Sequence, residues 1–274
     1  MNERLSPGAP PTPASGAERP AGAPGPDLVR AFGAEVDRRL TRLADFAVHG
    51  GLDTAISLMA DAIAADGVVQ AFGTGHSQAF AMEIAGRAGG LIPTNRIALR
   101  DLVLRGSRTA DVLGPKLERE PWVAEELYGL YPIHPADIFL IASNSGVNGS
   151  IVGLALKAQQ AGHRVIAVTS LEHTSAVTPT HPSGRRLSEI ADVVIDNLAP
   201  YGDATLDSVP GAKIGAVSSL TAAYIAQLLT IGVVDRLTTR GYPPPVYLSA
   251  NIPGGDAHNE ALEARYGERI AHGA

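Results

Sequence analysis

Short apolar runs alternate with longer helical stretches through the middle of the chain. Four nearly continuous apolar runs are typical of strands, and they lie at 68–72, 137–142, 164–169 and 191–196. A weaker run at 91–93 predicts one more strand. Strands without a polar face are buried on both sides, as in parallel sheets covered by helices. The pattern therefore predicts an α/β fold with a doubly wound parallel sheet.

Helical spacing marks the segments between and before these strands. A first helix is predicted over 28–48, where apolar residues share one face: Leu28, Phe32, Val36, Leu40, Leu43 and Val48. Gly50 and Gly51 end it, and a second helix is predicted over 55–65. Together they form an N-terminal helical hairpin. Further helices are predicted over 78–88 and up to about Ala161.

The stretch 214–234 carries no charge over a length that could cross a bilayer. Five polar residues interrupt it: Ser218, Ser219, Thr221, Gln227 and Thr230. We therefore predict a helix buried in the core or in a subunit interface, and no membrane association.

The first 27 residues are rich in proline, alanine and glycine and contain no apolar segment of the kind found in secretion signals. Such a composition cannot offset the entropy of ordering by burial, so residues 1–27 are predicted to be disordered. A proline-rich docking segment is the alternative. Residues 28–274 are predicted to form a single domain.

Composition narrows the possible functions. The formal net charge of −6 argues against a nucleic-acid or anionic-membrane binder. The chain has no cysteine, which excludes disulfides, thiolate metal sites and cysteine nucleophiles and suits a cytoplasmic protein. The histidines show neither HxH nor HExxH spacing, so no metal is expected.

Two loops follow predicted strands and carry small polar residues. The first is Gly73-Thr74-Gly75-His76-Ser77, and the second is Ser143-Asn144-Ser145-Gly146. Each precedes a helix whose first N–H groups are unpaired, and both would lie at the ligand-binding edge of the sheet. Neither loop matches the P-loop or GxGxxG pattern. They predict an anion site, although helix capping at tight turns is the simpler alternative.

These loops resemble those of the sugar isomerase (SIS) domain family. Further segments resemble its UPF0309 branch: 86–90, 191–197, 200–204 and 249–256. The resemblance implies a flavodoxin-like sheet of five parallel strands, a phosphorylated sugar as ligand, a homodimer and no cofactor. It also implies phosphate contacts from Ser77, Ser143, Asn144, Ser145 and Asn148, where relatives have threonine at the last position.

Isomerisation of a sugar needs groups that move protons, and carboxylates and histidines are the usual ones. Glu83 is a catalytic candidate because 83–87 resembles the context of the catalytic glutamate in sedoheptulose-7-phosphate isomerases. The alternative is a glutamate on the helix surface or in an interface. His76 is a candidate because it lies inside the first loop; a structural role is its alternative.

His258 is a candidate by resemblance alone, since SIS enzymes use a late histidine, sometimes from the partner subunit, in ring opening. It lies near the start of a predicted last helix that Asp256 could cap. Arg185 and Arg186 follow the fourth strand and are either phosphate contacts or solvated surface residues. The segment 106–129 is too irregular to place and is either a lid or an interface arm.

The sequence thus predicts a protein that binds a phosphorylated sugar, with aldose–ketose or amino-sugar-phosphate isomerisation as the expected reaction. Two alternatives stay open. One is a sugar-phosphate lyase that cleaves an ether on the same fold, and the other is a sensor that binds the sugar without turnover.

Overall fold

The structure, a computed structural model, describes residues 26–271. The helices of this part are α1 (Pro26–Val48), α2 (Asp53–Ala64), α3 (Gln78–Ile84), α4 (Asp101–Leu104), α5 (Trp122–Gly129), α6 (Gly149–Gln160), α7 (Leu171–Ala176), α8 (Ser218–Thr239) and α9 (Gly255–Glu263). Its strands are β1 (Val69–Gly73), β2 (Thr94–Ile97), β3 (Ile138–Ala142), β4 (Val165–Thr169), β5 (Val193–Asp196), β6 (Ala204–Val209) and β7 (Ala212–Ala216). The predicted tail, 1–27, lies almost entirely outside the described residues, since α1 begins at Pro26.

Five strands form one parallel sheet in the order β2-β1-β3-β4-β5. This is the flavodoxin-like order, in which the winding direction reverses between β1 and β3. The predicted fold class is therefore confirmed. A separate antiparallel hairpin, β6-β7, was not predicted.

The sheet is buried on both faces, as the apolar runs predicted. Ile138 and Leu140 of β3 pack into a core with side chains from α2, α3 and α8. Phe139 and Ile141 point the other way, into a core with side chains from α5 and α6. Side chains alternate across a strand, so a strand covered on both faces is apolar at most positions.

The second strand lies at 94–97, so its predicted position at 91–93 was wrong. Leu91 instead forms an isolated antiparallel bridge with Val246. The true edge strand contains the polar residues Thr94 and Asn95, which are buried. The C-terminal segment covers this edge, because the Ala271 N–H donates to Asn95 Oδ1 at 2.6 Å.

Two helices also differ from their predicted extents. Helix α3 ends at Ile84 rather than at 88, and Gly86 adopts a positive φ of 73° two residues later. The stretch 214–234 is not one helix, since Ile214 belongs to β7. Helix α8 begins at Ser218 and runs to Thr239.

Helix α8 is the one helix within residues 26–271 that is long and apolar enough to cross a membrane by length and composition. Its residues Ile225, Leu229 and Val233 are fully buried and pack in the core with α2 and α3. Burial in the core of the protein therefore explains the apolar composition of α8, as burial in a membrane would. Its other face carries Ile231, which is 63% exposed.

The opposite end of the sheet from the loops is tied together by Asp137, whose side chain is fully buried. Its Oδ1 accepts hydrogen bonds from the Val68 N–H and from Arg269 Nη2, at 2.9 and 2.7 Å. Its Oδ2 accepts from Gln70 Nε2 and the His134 N–H, at 2.9 and 3.1 Å. One carboxylate thus joins β1, the start of β3 and the C-terminal segment.

Candidate ligand site

A narrow cleft opens where β1 and β3 end. Two groups of residues line it: the polar His76, Ser77, Ser143, Asn197, Ser218 and Ser219, and the apolar Phe80, Ala142, Val168 and Ala222. Its volume is about 260 Å³ with the adjoining open solvent included. The cleft therefore has room for a small polar group rather than for a whole sugar.

The loop after β1 has a close backbone contact at Gly73 that leaves no room for a side chain. A Cβ on Gly73 would overlap the carbonyl oxygen of Ser77, so the loop folds directly back over the end of the strand. The Ser77 N–H donates to the Thr74 carbonyl at 3.0 Å and closes this turn. The tight turn brings His76 and Ser77, both site candidates from the sequence, into the cleft lining.

The loop after β3 is held by its own serine. Ser143 Oγ accepts a hydrogen bond from the Gly146 N–H at 3.1 Å, and Ser143 is buried. Gly146 has a φ of 64°, and a Cβ there would lie 3.1 Å from Thr174 Oγ1. Glycine allows both this conformation and this close approach. Of the predicted phosphate contacts in this loop, Ser143 lines the cleft.

The other predicted contacts of this loop lie beside the cleft lining rather than in it. Asn144 and Ser145 are partly exposed, and Asn148 precedes α6 without capping it through its side chain. Ser143 rather than Ser145 is therefore the serine that shares the cleft with Ser77. The roles assigned to Asn144, Ser145 and Asn148 stay predictions.

Asn197 joins the end of β5 to the loop after β3. The Ala199 N–H donates to Asn197 Oδ1 at 3.0 Å, and Asn197 Nδ2 donates to Asn144 Oδ1 at 3.1 Å. Because a backbone N–H can only donate, this bond fixes which end of the Asn197 amide is which. Asn144 is then held with its own NH₂ group directed away from Asn197.

The third side of the cleft is the start of α8. Asp203 caps this helix, since its Oδ1 accepts from the N–H groups of Val217 and Ser218, at 3.1 and 2.8 Å. Its Oδ2 accepts from Ser218 Oγ at 2.6 Å. Ser218 and Ser219 therefore enter the cleft at the positive end of a 22-residue helix.

Sequence reasoning missed Asn197, Ser218 and Ser219 as site residues. Each had a visible signal. Asn197 directly follows a predicted strand, at the same edge of the sheet as the two loops. The serine pair interrupts a stretch that is otherwise apolar, at the position where α8 begins.

Two predicted catalytic residues lie outside the lining of the cleft. The Glu83 carboxylate forms an ion pair with Arg87 and accepts a hydrogen bond from Gln227 Nε2 at 2.6 Å. His258 Nε2 lies 3.0 Å from the Val246 carbonyl oxygen. Helix α9 begins after Gly254, which has a φ of 81°, so the predicted cap at Asp256 was wrong.

The arginines after β4 bind their own loop. Arg186 donates to the carbonyl oxygens of Thr174 and Val177, each at 2.9 Å, and pairs with Glu189. The Arg186 N–H also donates to the Glu189 carboxylate, which holds the pKa of that carboxyl below its usual value. Arg185 donates to the Glu189 carbonyl oxygen.

The segment 106–129, which the sequence did not place, packs against α6. Leu117, Val123 and Leu127 are buried in the same core as Phe139. Ser150 Oγ, in the first turn of α6, donates to the Glu118 carbonyl oxygen at 2.7 Å. A Cβ on Gly149 would overlap the carbonyl oxygen of Arg119. Residues 117–119 are therefore fixed against the start of α6.

The cleft is lined by serine hydroxyls and an asparagine amide, and its lining includes no lysine or arginine. Three or more histidine or acidic side chains that could hold a metal do not come together anywhere in residues 26–271. Donors of this kind, at a helix N-terminus, suit an anionic or hydroxyl-rich ligand.

Comparisons with known proteins agree with the fold. A model described as SIS domain matches residues 31–170, about half of the chain. A UPF0309 protein of Listeria monocytogenes is 38% identical over 237 residues, which cover 86% of this chain and 96% of that protein. A UPF0309 protein of Halalkalibacterium halodurans is 36% identical over 211 residues, covering 76% and 86%.

A solved structure of phosphoheptose isomerase from Neisseria gonorrhoeae is similar over 78% of this chain and 98% of its own, with a TM-score of 0.49 and 19% identity. The family model and the level of identity to the two relatives settle the family. The chain belongs to the SIS domain family and, within it, to the UPF0309 proteins.

Proposed function

We propose that this protein binds a phosphorylated sugar, with the phosphate held in the cleft between the β1 and β3 loops. The observation that carries this proposal is the convergence of Ser77, Ser143 and Ser218 on one cleft from three separate elements. Hydroxyl donors such as those of Ser77 and Ser143, next to the N-terminus of a helix, bind phosphate without needing a positively charged side chain.

The position in the fold supports the same proposal. In sheets of this order, ligands bind outside the carboxyl ends of the strands at the point where the winding reverses. That point lies between β1 and β3, where the two loops meet. Because the cleft is narrow, the sugar would extend from it past the loops.

We further propose that the reaction is an aldose–ketose or amino-sugar-phosphate isomerisation, as the SIS resemblance implies. His76 stands in the cleft lining beside Ser77 and is placed to exchange protons with a sugar oxygen. A homodimer and a cytoplasmic location belong to the same proposal. The exposed apolar side chains Phe46 and Ile231, 46% and 63% exposed, are compatible with a partner surface.

A sensor without turnover is the second candidate, and one observation favours it. The Glu83 carboxylate is already bonded to Arg87 and Gln227 and lies outside the cleft lining. If Glu83 were the only possible base, the site would bind a sugar phosphate without isomerising it.

Exchange measurements separate the two candidates. The protein is incubated in D₂O with glucose 6-phosphate and with glucosamine 6-phosphate, and loss of the C2 proton signal is followed by NMR. Exchange supports the isomerase, whereas binding without exchange supports the sensor.

The phosphate cradle is tested with the variants Ser77→Ala and Ser143→Ala. Each removes a donor to a charged ligand, which is worth about 1.5–3 kcal/mol, so the Kd for inorganic phosphate should rise roughly 10- to 150-fold. Ser107→Ala is the matched control, because Ser107 is exposed and does not line the cleft. Equal Kd values for all three variants would contradict the cradle.

A further inference from the structure

A carboxylate from the segment that the sequence did not place lies against the β1 loop. A Cβ built on Gly75 would be 3.5 Å from Glu118 Oε2. Gly75 has a φ of 54° and immediately precedes His76, which lines the cleft. The Glu118 carboxylate is therefore a neighbour of the loop that supplies His76 and Ser77.

The backbone that carries Glu118 is fixed. Its carbonyl oxygen accepts a hydrogen bond from Ser150 Oγ, and Ser150 is fully buried at the start of α6. The preceding residue, Leu117, is buried in the core, and the following carbonyl, that of Arg119, packs on Gly149. Residue 118 is thus held between the β1 loop and the helix that follows the β3 loop.

The Glu118 carboxylate itself is uncommitted, unlike that of Glu83. Within residues 26–271 it makes no hydrogen bond and no ion pair. Glu83 has both an ion pair with Arg87 and a hydrogen bond from Gln227. A general base needs an unshared electron pair directed at the substrate, and a carboxylate that is already paired with arginine is a poor base.

We propose that Glu118, rather than Glu83, is the group that moves the proton between the two carbons of the sugar. This inference rests on the proposed isomerase function. The phosphate stays with the serines of the cleft, and the carbons to be isomerised lie beside Gly75, where the carboxylate stands. Separating the carboxylate from the phosphate subsite also limits repulsion between the two anionic groups.

Two side chains of this protein, Glu118 and His76, are enough to carry all the proton transfers of the reaction. Glu118 takes the proton from C2, the C2–H electron pair forms the C1–C2 double bond, and the C1–O1 π bond breaks as O1 gains a proton carried by His76. The resulting enediol then takes the proton of Glu118 at C1 with the electron pair of the C1–C2 π bond, while O2 gives its proton to His76 and the O2–H electron pair forms the C2–O2 double bond. Both groups end in their starting states, and no oxidant or cofactor is needed.

Three variants of the full chain test the proposal: Glu118→Gln, Glu83→Gln and Glu120→Gln. Glu118→Gln removes the proposed base, and Glu83→Gln removes the base that the resemblance implies. Glu120→Gln is the matched control, because Glu120 is an exposed glutamate two residues further along the same segment. Exchange at C2 of glucose 6-phosphate and of glucosamine 6-phosphate in D₂O is measured by NMR, and the Kd for inorganic phosphate by calorimetry.

We expect Glu118→Gln to slow C2 exchange by about 10²- to 10⁴-fold, the usual contribution of a general base, with a phosphate Kd within twofold of the parent value. Glu120→Gln should exchange at the parent rate. If Glu118→Gln keeps the parent rate while Glu83→Gln loses it, the assignment to Glu118 is overturned and the isomerase function stands.

If the parent protein binds phosphate but exchanges neither sugar, the isomerase function fails and the role of Glu118 fails with it. Parent exchange combined with loss in Glu118→Gln alone supports both. The outcomes for the residue and for the function are therefore distinguishable.

Discussion

The Asp137 carboxylate accepts four hydrogen bonds, and replacing Asp137 with asparagine tests how much they stabilise the fold without changing the size of the side chain. One carboxylate oxygen accepts hydrogen bonds from Val68 and Arg269, and the other accepts them from Gln70 and His134. An asparagine has one oxygen, so in either orientation its NH₂ group faces two donors that it cannot accept from.

The magnitude follows from these bonds. A hydrogen bond to a charged acceptor is worth about 1.5–3 kcal/mol, and two are lost, so Asp137→Asn should lower the free energy of unfolding by about 3–6 kcal/mol. Whole domains are stable by only about 5–15 kcal/mol, so this single change would remove a large part of the total.

Removing the cationic partner should cost about half as much. Arg269→Met removes one hydrogen bond to Asp137 instead of two and leaves the carboxylate with three donors. It also removes Arg269 Nε, which is buried without a partner within the described part of the chain. We therefore expect a loss of about 1.5–3 kcal/mol.

Urea unfolding of the two variants, followed by circular dichroism, measures both values, and an unchanged m-value shows that the comparison is valid. The expected result is a loss for Asp137→Asn at least twice that for Arg269→Met. Equal losses would refute the reasoning, because they would mean that the ion pair, rather than the backbone and amide donors, carries the stabilisation.

Three further predictions concern the site and the C-terminal segment. Asn197→Leu removes a residue of the cleft lining and frees the Asn144 amide, so the Kd for inorganic phosphate should rise roughly 2- to 10-fold. In the Asn144→Leu background the same change should have a smaller effect, which calorimetry on the double-mutant cycle can check. Gly73→Ala places a Cβ against the Ser77 carbonyl oxygen. It should lower the free energy of unfolding, measured with urea, by about 1–3 kcal/mol and should also weaken phosphate binding. Unchanged binding would mean that the turn does not hold Ser77. Tyr266 is buried with an unpartnered hydroxyl among the described residues, and burial raises its pKa to about 12. The unfolded chain ionises this group near pH 10, so its contribution is complete below pH 10 and is lost as the pH rises to about 12. Tyr266→Phe should therefore be neutral or stabilising at pH 7 and should weaken the loss of stability above pH 10 in unfolding experiments; a strongly destabilised variant at pH 7 would show that the hydroxyl has a partner.

The central strands could be predicted from the sequence because their apolar composition is a local property of each segment. β3 is apolar at every position, and β1 and β4 are apolar except for Gln70 and Thr169, as expected of strands between two helical layers. The two polar loops could be recognised for a similar reason, since each lies directly after such a strand. The direction of every parallel strand then places both loops at one edge.

The edge of the sheet could not be predicted in the same way. Thr94 and Asn95 look like loop residues, yet both are buried, and Asn95 bonds to the backbone of Ala271 and Arg269, far away in the sequence. A polar residue satisfied by a distant backbone carries no local mark of its burial.

The composition of the cleft is likewise a product of the tertiary structure. Ser77 and Ser143 could be placed together from strand order alone, but Ser218 reaches them only because Asp203 caps α8 and the helix packs across the sheet end. The same holds for the carboxylates. Both Glu83 and Glu118 are glutamates, and only the tertiary structure gives Glu83 a hydrogen bond from Gln227 of α8 and places Glu118, without a side-chain partner among residues 26–271, beside Gly75. Local pattern determines which elements form and at which edge a ligand binds, whereas the contacts between distant segments determine which side chains stand there and in what chemical state.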